Sequence, residues 1–237
     1  VGVLELYAST EASAVLANAA GKKIGSVGRP LPGSSEVVVA AWSFGEHDFV
    51  RDGHGRLVRA RGGEPGMLIA QLARAGADLA HIDPKRVLRD AFEPGDTWFV
   101  TGDVMRVDED GDFWFVDRLD QMIVTRLGPV ASTRIEDAIH ACACVARCVA
   151  VGRPDLDAPG QQLPIAAIQL RPGLPLDLAL LSAAVSTLPE YARPRRVRVV
   201  ELLPETDGFR PIKRGLRDLD ELGAGPNVYA WDARTQA

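Results

Sequence analysis

Two short runs have residue types and a spacing that could do chemistry: Thr101-Gly102-Asp103 and, fourteen positions beyond Asp103, Asp117-Arg118-Leu119-Asp120. The Asp103 carboxylate can accept two hydrogen bonds from neighbouring sugar hydroxyls. Gly102 lets a ligand approach the backbone with no side chain between them. The Arg118 guanidinium is a planar fork of donors suited to phosphate or ribose oxygens. Each run is placed where a strand should end, so together they predict a ribonucleotide held at a domain edge. Taken singly, Asp103 reads as a turn aspartate and Arg118 as a surface arginine.

The elements around these runs fall into two styles. Val3–Tyr7 is a short strand, with a turn over Ser9–Glu11. Val37–Ala41, Leu57–Ala60 and Met67–Leu72 are β-type runs, and Asp52-Gly53-His54-Gly55 is a turn. Asp83-Pro84 starts a short helix, with Asp as cap and Pro at the first helical position. Trp98–Val100 and Val104–Val107 flank the Thr-Gly-Asp run, and Glu109–Asp112 turns into Phe113–Val116. Residues 25–117 therefore predict a small distorted barrel or sheet. After Leu119, helices and strands alternate. Ser132-Thr133 with Glu136 is a capping-box signature, and Ile135, Ala138 and Ile139 give that helix an apolar face. Strands are expected at Val145–Val151, Pro164–Leu170 and Val197–Leu203. Helices are expected at Pro175–Leu188 and Ile212–Leu219. The expected fold class is α+β: a β-rich part over 1–119, a small α+β domain over 120–223, and a patternless tail over 224–237.

Composition excludes several classes. The chain has 237 residues, 46% apolar and 25% charged, as in ordinary globular proteins. A net charge of −5 gives no electrostatic case for nucleic acid. No apolar stretch approaches a spanning helix, and the opening residues do not read as a signal peptide. The chain opens on Val1-Gly2-Val3 without Met, as expected of a segment already inside a domain. Cys142, Cys144 and Cys148 could form a metal or redox cluster, but only His140 has useful zinc spacing. They read better as small apolar core residues in a reducing, cytoplasmic setting, with membrane association left open. Arg193, Arg195, Arg196 and Arg198 form a basic cluster, read as a solvated strand face or as a phosphate contact.

The order of motifs resembles the adenylate-forming (AMP-binding) superfamily, and within it the fatty-acid transport protein/very-long-chain acyl-CoA synthetase branch. The matching stretches are Leu6–Ala12, Gly63–Ile69, Trp98–Asp103, Phe115–Leu119 and Thr206–Lys213, in that order along nearly the whole chain. The resemblance implies ATP-dependent adenylation of a long-chain fatty acid, then thioester formation with coenzyme A, with Mg²⁺ as the metal. It implies that Tyr7 lies against the adenine and that Thr10 donates to the α-phosphate. It implies that Glu11 associates with Mg²⁺, the alternative being a cap on a helix suggested by Ala12–Ala20. Asp103 and Arg118 would bind ribose and phosphate, and Asp120 would be the hinge of a mobile small domain.

This sequence departs from the family pattern at several places. Ala8 replaces a Gly. The Lys-Gly-rich loop after the hinge reads Arg126-Leu127-Gly128-Pro129. The adenylation lysine falls at Arg210, leaving Lys213 as the one lysine nearby that could serve instead; an arginine fork does not reproduce a compact ammonium. The Ser/Thr/Gly-rich phosphate loop is not among these residues, so the resemblance is to a C-terminal portion that would be inactive alone. Two alternatives stay open: a non-catalytic descendant that binds nucleotide or acyl-adenylate, or a ligase using a carrier-protein thiol. Oligomeric state and peripheral membrane contact are not legible.

Overall fold

Short β-branched runs punctuated by Gly and Asp build the first half of the chain. A computed structural model describes residues 4–72, 82–205, 212–213, 216 and 227–230, and divides into two units, Val1–Asp120 and Gln121–Ala237. In the first unit, β1 (Leu6–Ser9), β2 (Ala14–Ala17) and β3 (Arg29–Pro30) form a small antiparallel sheet. The Ala-rich stretch after Glu11 is thus a strand, not a helix. Ser13 turns the chain with φ 51, and Ala14 and Leu16 are then buried at the two-residue period of a strand.

Next come β4 (Val37–Ala40), β5 (Trp42–Ser43), β6 (Asp48–Phe49) and β7 (Gly66–Gln71). They are followed by β8 (Val87–Arg89), β9 (Thr97–Val107) and β10 (Phe113–Arg118). The main sheet runs β10-β9-β7-β4, with β8 also paired to β9, and its pairs are antiparallel. Both faces are covered. Val37, Val39, Leu68, Ala70 and Phe99 pack with Leu16 on one side. Val38, Ala40, Met67, Ile69 and Trp98 pack with Leu57 and Ala91 on the other. Leu57–Ala60 supplies only isolated bridges at Leu57 and Arg59. Pro84–Arg86 is a single 3₁₀ turn, capped by Asp83 through its carboxylate to the Lys85 N–H.

The second unit starts with a hairpin of β11 (Ile123–Thr125) and β12 (Gly128–Val130). Thr125 pairs with Gly128, so Arg126 and Leu127 form the turn, and the Thr125 hydroxyl closes it on the Gly128 carbonyl at 2.7 Å. Then follow α1 (Ser132–His140), β13 (Val145–Pro154), β14 (Gln162–Leu170), α2 (Leu178–Ser186), β15 (Arg196–Val200) and β16 (Val228–Ala230). The sheet order is β13-β14-β15-β16. β14 and β15 are parallel, which is why a helix must cross between them. Ile135 and Ile139 of α1 and Leu181 and Val185 of α2 share a core with Cys148, Ala150 and Ile168. Leu203 and Leu216 pack with Val149, Val151, Ile165 and Ala167 in a separate cluster. The class is α+β.

Several expectations change in this unit. The α1 cap is Ala131, with no side-chain hydrogen bond, and Ser132 is already helical. Asp177 does cap α2, accepting from the Leu180 N–H at 3.0 Å. Arg193 is not on a strand face: it donates to the Leu188 and Ser186 carbonyls at the end of α2. Within the expected tail, Val228–Ala230 pair with β15. The helix expected at Ile212–Leu219 lies mostly outside the described residues. Ile135 is fully buried in the helix-bearing core, so Ile135→Ala should cost about 2–5 kcal/mol. Urea titration of the chain reads this directly; a loss under about 1 kcal/mol would mean the core is loose there.

Candidate functional site

The Thr-Gly-Asp run is not at a strand end. It lies within the single eleven-residue strand β9, as a bulge. Val104 faces Met67 and Val100 faces Ile69, so Leu68 stands opposite three residues, Thr101, Gly102 and Asp103. Gly102 has φ +80, which a side chain would strain, and a Cβ there would meet open space. The Thr101 hydroxyl takes over a lost ladder bond, donating to the Leu68 carbonyl at 2.7 Å. The same oxygen accepts the Asp103 N–H at 3.1 Å.

Asp103 ends the bulge and is paired on its other side with β10. In the β9–β10 register, Arg118 is its cross-strand partner, reached after an irregularity at Val116. From β1, the Tyr7 hydroxyl donates to Asp103 Oδ2 at 2.7 Å. Burial and the Asp103 carboxylate push the Tyr7 phenol well above its ordinary value, so it stays a donor. Asp117 is buried, and its carboxylate accepts the Arg118 N–H at 2.8 Å. Arg118 Nε lies 3.6 Å from Asp120, in the 3₁₀ turn Leu119–Gln121. Tyr7 and Asp103 are thus joined by a hydrogen bond, Arg118 and Asp120 by a close charge pair, and Asp103 and Arg118 by backbone register.

Glu11 and Thr10 follow β1. The Glu11 carboxylate accepts from the Thr10 hydroxyl at 3.1 Å and the Ser9 hydroxyl at 3.4 Å. Its own backbone N–H, then those hydroxyls and Arg86, hold it below the usual carboxylate range. It is an exposed carboxylate, an oxygen donor of the chemical type that a divalent cation such as Mg²⁺ takes. Ala8, where a Gly was expected, is exposed on β1.

Arg86 is the residue that sequence reasoning missed. β8 pairs with β9 up to Phe99 and β10 from Asp103 onward. Arg86 donates from Nε to the Val100 carbonyl at 2.9 Å and from Nη2 to the Thr101 carbonyl at 2.6 Å. Its guanidinium lies 4.3 Å from the Phe99 ring centroid, and Nη1 is 3.9 Å from Glu11. It supports the bulge and faces the Glu11 carboxylate at once. The available signal was its place beside a capped turn, which says nothing about carbonyls fourteen and fifteen residues away.

In the second unit, Lys213 donates to the Ser132 hydroxyl at 2.6 Å and pairs with Glu136 at 2.8 Å. Arg210 lies outside the described residues. The cysteines are buried in the core; Cys142 and Cys144 have sulfurs 3.2 Å apart, and burial pushes the Cys148 thiol up. The only close group of three metal-ligating side chains among the described residues is Asp108, Asp110 and Asp112. The Lys23 ammonium already contacts all three, at 2.6, 2.8 and 2.9 Å. No helix among the described residues is long and apolar enough to cross a membrane.

The chain is similar to several known proteins. Residues 134–209 match the AMP-binding enzyme C-terminal domain. The chain is 34% identical, over 221 residues, to the medium/long-chain fatty acid-CoA ligase FadD6 of Mycobacterium tuberculosis, covering 91% of this chain and 36% of that protein. It is 31% identical, over 233 residues, to human long-chain fatty acid transport protein 3, covering 89% and 32%. The amide bond synthetase McbA from Marinactinospora thermotolerans superposes with TM-score 0.67 at 28% identity, over 91% of this chain and 42% of that one. ATP-bound MatB from Rhodopseudomonas palustris gives TM-score 0.69 at 22% identity, over 92% and 41%, a likeness of fold. The chain spans about a third of the length of these two curated relatives.

Removing the Tyr7 hydroxyl tests the link to Asp103. Tyr7→Phe should destabilise the chain by about 1.5–3 kcal/mol, the worth of a bond to a charged acceptor. The phenol's folded value is raised above its ordinary 10.0, so its contribution is full below that pH and is lost as pH rises beyond it. Urea midpoints of both forms at pH 8 and at pH 11 should therefore converge at the higher pH. A gap of equal size at both would show that Tyr7 does not hold its proton against Asp103.

Proposed function

With residues 134–209 carrying an AMP-binding enzyme C-terminal domain, in a chain related to fatty-acid-CoA ligases, we propose that it serves an acyl-adenylate-forming ligase. It supplies the ribose-binding edge of the large domain and the mobile small domain, with the hinge at Asp120. The substrates are ATP, a long-chain fatty acid and coenzyme A. The observation that carries this reading is the Asp103–Arg118 cross-strand pair with the Tyr7 hydroxyl on Asp103.

In the first half-reaction the fatty-acid carboxylate attacks the α-phosphorus, the bond to the β-phosphate oxygen breaks, and pyrophosphate leaves. In the second, a thiol attacks the acyl carbon and AMP leaves. Asp103 accepts from the vicinal ribose hydroxyls, its rotamer fixed by Tyr7. Arg118 donates to ribose or phosphate oxygens. Thr10 donates to the α-phosphate, and Glu11 is the carboxylate on which Mg²⁺ would be held. The metal, when bound, neutralises charge on the phosphates. Arg210 occupies the adenylation-lysine position, carrying the charge on a broader group. Cytoplasmic placement, with contact at a membrane surface, is in keeping with the fatty-acid transport relatives.

Three measurements test the reading. The 237-residue chain, given ATP, Mg²⁺, palmitate and coenzyme A, should make no thioester above background, because the phosphate loop is not among its residues. In the full-length gene product, Asp103→Ala should weaken ATP use by about 10- to 100-fold, the loss of charge-assisted bonds worth about 1.5–3 kcal/mol. Unchanged ATP affinity would reduce Asp103 to a turn residue. Arg210→Lys should raise pyrophosphate release and leave thioester formation from supplied acyl-adenylate nearly untouched. If neither the natural form nor this variant makes adenylate, the chain is a non-catalytic binder of nucleotide or acyl-adenylate.

A further inference from the structure

Lys213 and Arg210 both compete for the role of the family's lysine, and the surroundings of Lys213 bear on which of them can fill it. Its ammonium sits between two groups on the first turns of α1, the Ser132 hydroxyl at 2.6 Å and Glu136 Oε1 at 2.8 Å. Both partners of the ion pair are largely covered, with 15% and 16% of their side chains exposed. The same Glu136 oxygen accepts the Ala150 N–H from β13 at 2.9 Å. The segment is held at other points too. The Ile212 N–H donates to the Pro204 carbonyl at 2.8 Å, and Leu216 is buried beside Leu203.

From this we infer that Lys213 is a positioning residue, fastening the segment that carries Arg210 to α1 and β13, and is not the cation that meets substrate. To reach a carboxylate and a phosphate, the ammonium would have to leave a covered carboxylate and strand Glu136 without its counter-charge, which is costly. Held where it is, it does something else. Arg210 is three positions earlier, so the covalent chain alone keeps their α-carbons within roughly 11 Å. Fixing Lys213 therefore restricts where the Arg210 fork can be presented. The capping-box signature at Ser132 and Glu136 acquires a different meaning: both side chains serve the lysine and leave the helix end to Ala131. The catalytic half of this assignment rests on the proposed adenylation chemistry; the anchoring half does not.

The chain's four lysines, Lys22, Lys23, Lys85 and Lys213, allow an internal comparison. Treat the folded chain with the N-hydroxysuccinimide ester of acetate and follow each site by peptide mass spectrometry. Lys22 and Lys85 are exposed and should acylate fast. Lys213 should be slower by about tenfold or more, because its amine reacts only after local opening. Glu136→Gln keeps an acceptor for the Ala150 N–H but removes the charge, and should raise Lys213 labelling; Ser132→Ala is the second variant if the first folds poorly. Lys213 labelling as fast as Lys22 in the natural chain would overturn the inference.

In the full-length gene product, Lys213→Met and Glu136→Gln should each lower kcat for adenylate formation by a similar factor. The double variant should fall no further than the worse single one, as for two ends of one tie, with KM for ATP unchanged. A drop to background in Lys213→Met alone, with Glu136→Gln near natural turnover, would make Lys213 the substrate-facing cation. If no form makes adenylate, the proposed function fails while the labelling result still decides whether Lys213 is anchored.

Discussion

The Asp103 edge of the first unit depends on an irregularity, the extra length of β9 opposite Leu68. Arg118 is brought opposite Asp103 by a second irregularity, at Val116 in β10, while the β9 bulge shapes the Asp103 backbone from the β7 side. The bulge is held open by groups that replace its missing bonds. The Thr101 hydroxyl takes the Leu68 carbonyl, and Arg86 takes the carbonyls of Val100 and Thr101. Unpaired peptide groups at such a place would each cost on the order of 1–3 kcal/mol, so Thr101 and Arg86 are conditions of the bulge. Asp103 there accepts the Tyr7 hydroxyl from β1 and stands opposite Arg118 of β10.

Much of this was legible in the sequence, because it is local. Gly102 reads as a place where the backbone lies open, and Arg118 reads together with Asp103 as one site. The runs that became β4, β7, β13, β14 and β15 show the β-branched composition of buried strands. What sequence could not supply is pairing across long separations. Nothing around Arg86 indicates that its fork will close a gap in β9. The Thr-Gly-Asp run was expected to end a strand, since a glycine normally interrupts one; here the neighbours on both sides stay paired and the strand passes through it.

The second unit gives the opposite error, a local signal that was too persuasive. Ser132, Thr133 and Glu136 have the spacing of a self-contained helix start, yet a lysine 81 residues after Ser132 takes the Ser132 hydroxyl, and the same lysine pairs with Glu136. A carboxylate–ammonium bond is charge-assisted on both sides, and Glu136 makes it while also accepting the Ala150 N–H rather than one at its own helix end. Bonds of the same kind hold Lys23, which the three carboxylates of the β9–β10 turn enclose. In a chain with four lysines, two are thereby committed to holding distant segments together. The Arg-rich stretch before β15 divides in a related way, with Arg193 drawn off to the end of α2.

β16 is three residues long, and it pairs with a strand that ended at Val200. During synthesis the chain leaves the ribosome from its N-terminal end, so β13, β14, α2 and β15 are all available before residues 228–230 emerge. Through that interval one side of β15 presents unpaired peptide groups at the margin of a sheet, a template for another nascent chain. The last described strand thus acts as a seal applied late. A ribosome that stalled or terminated shortly after Val200 would release a unit with its helices and central pairing present and its outer edge open.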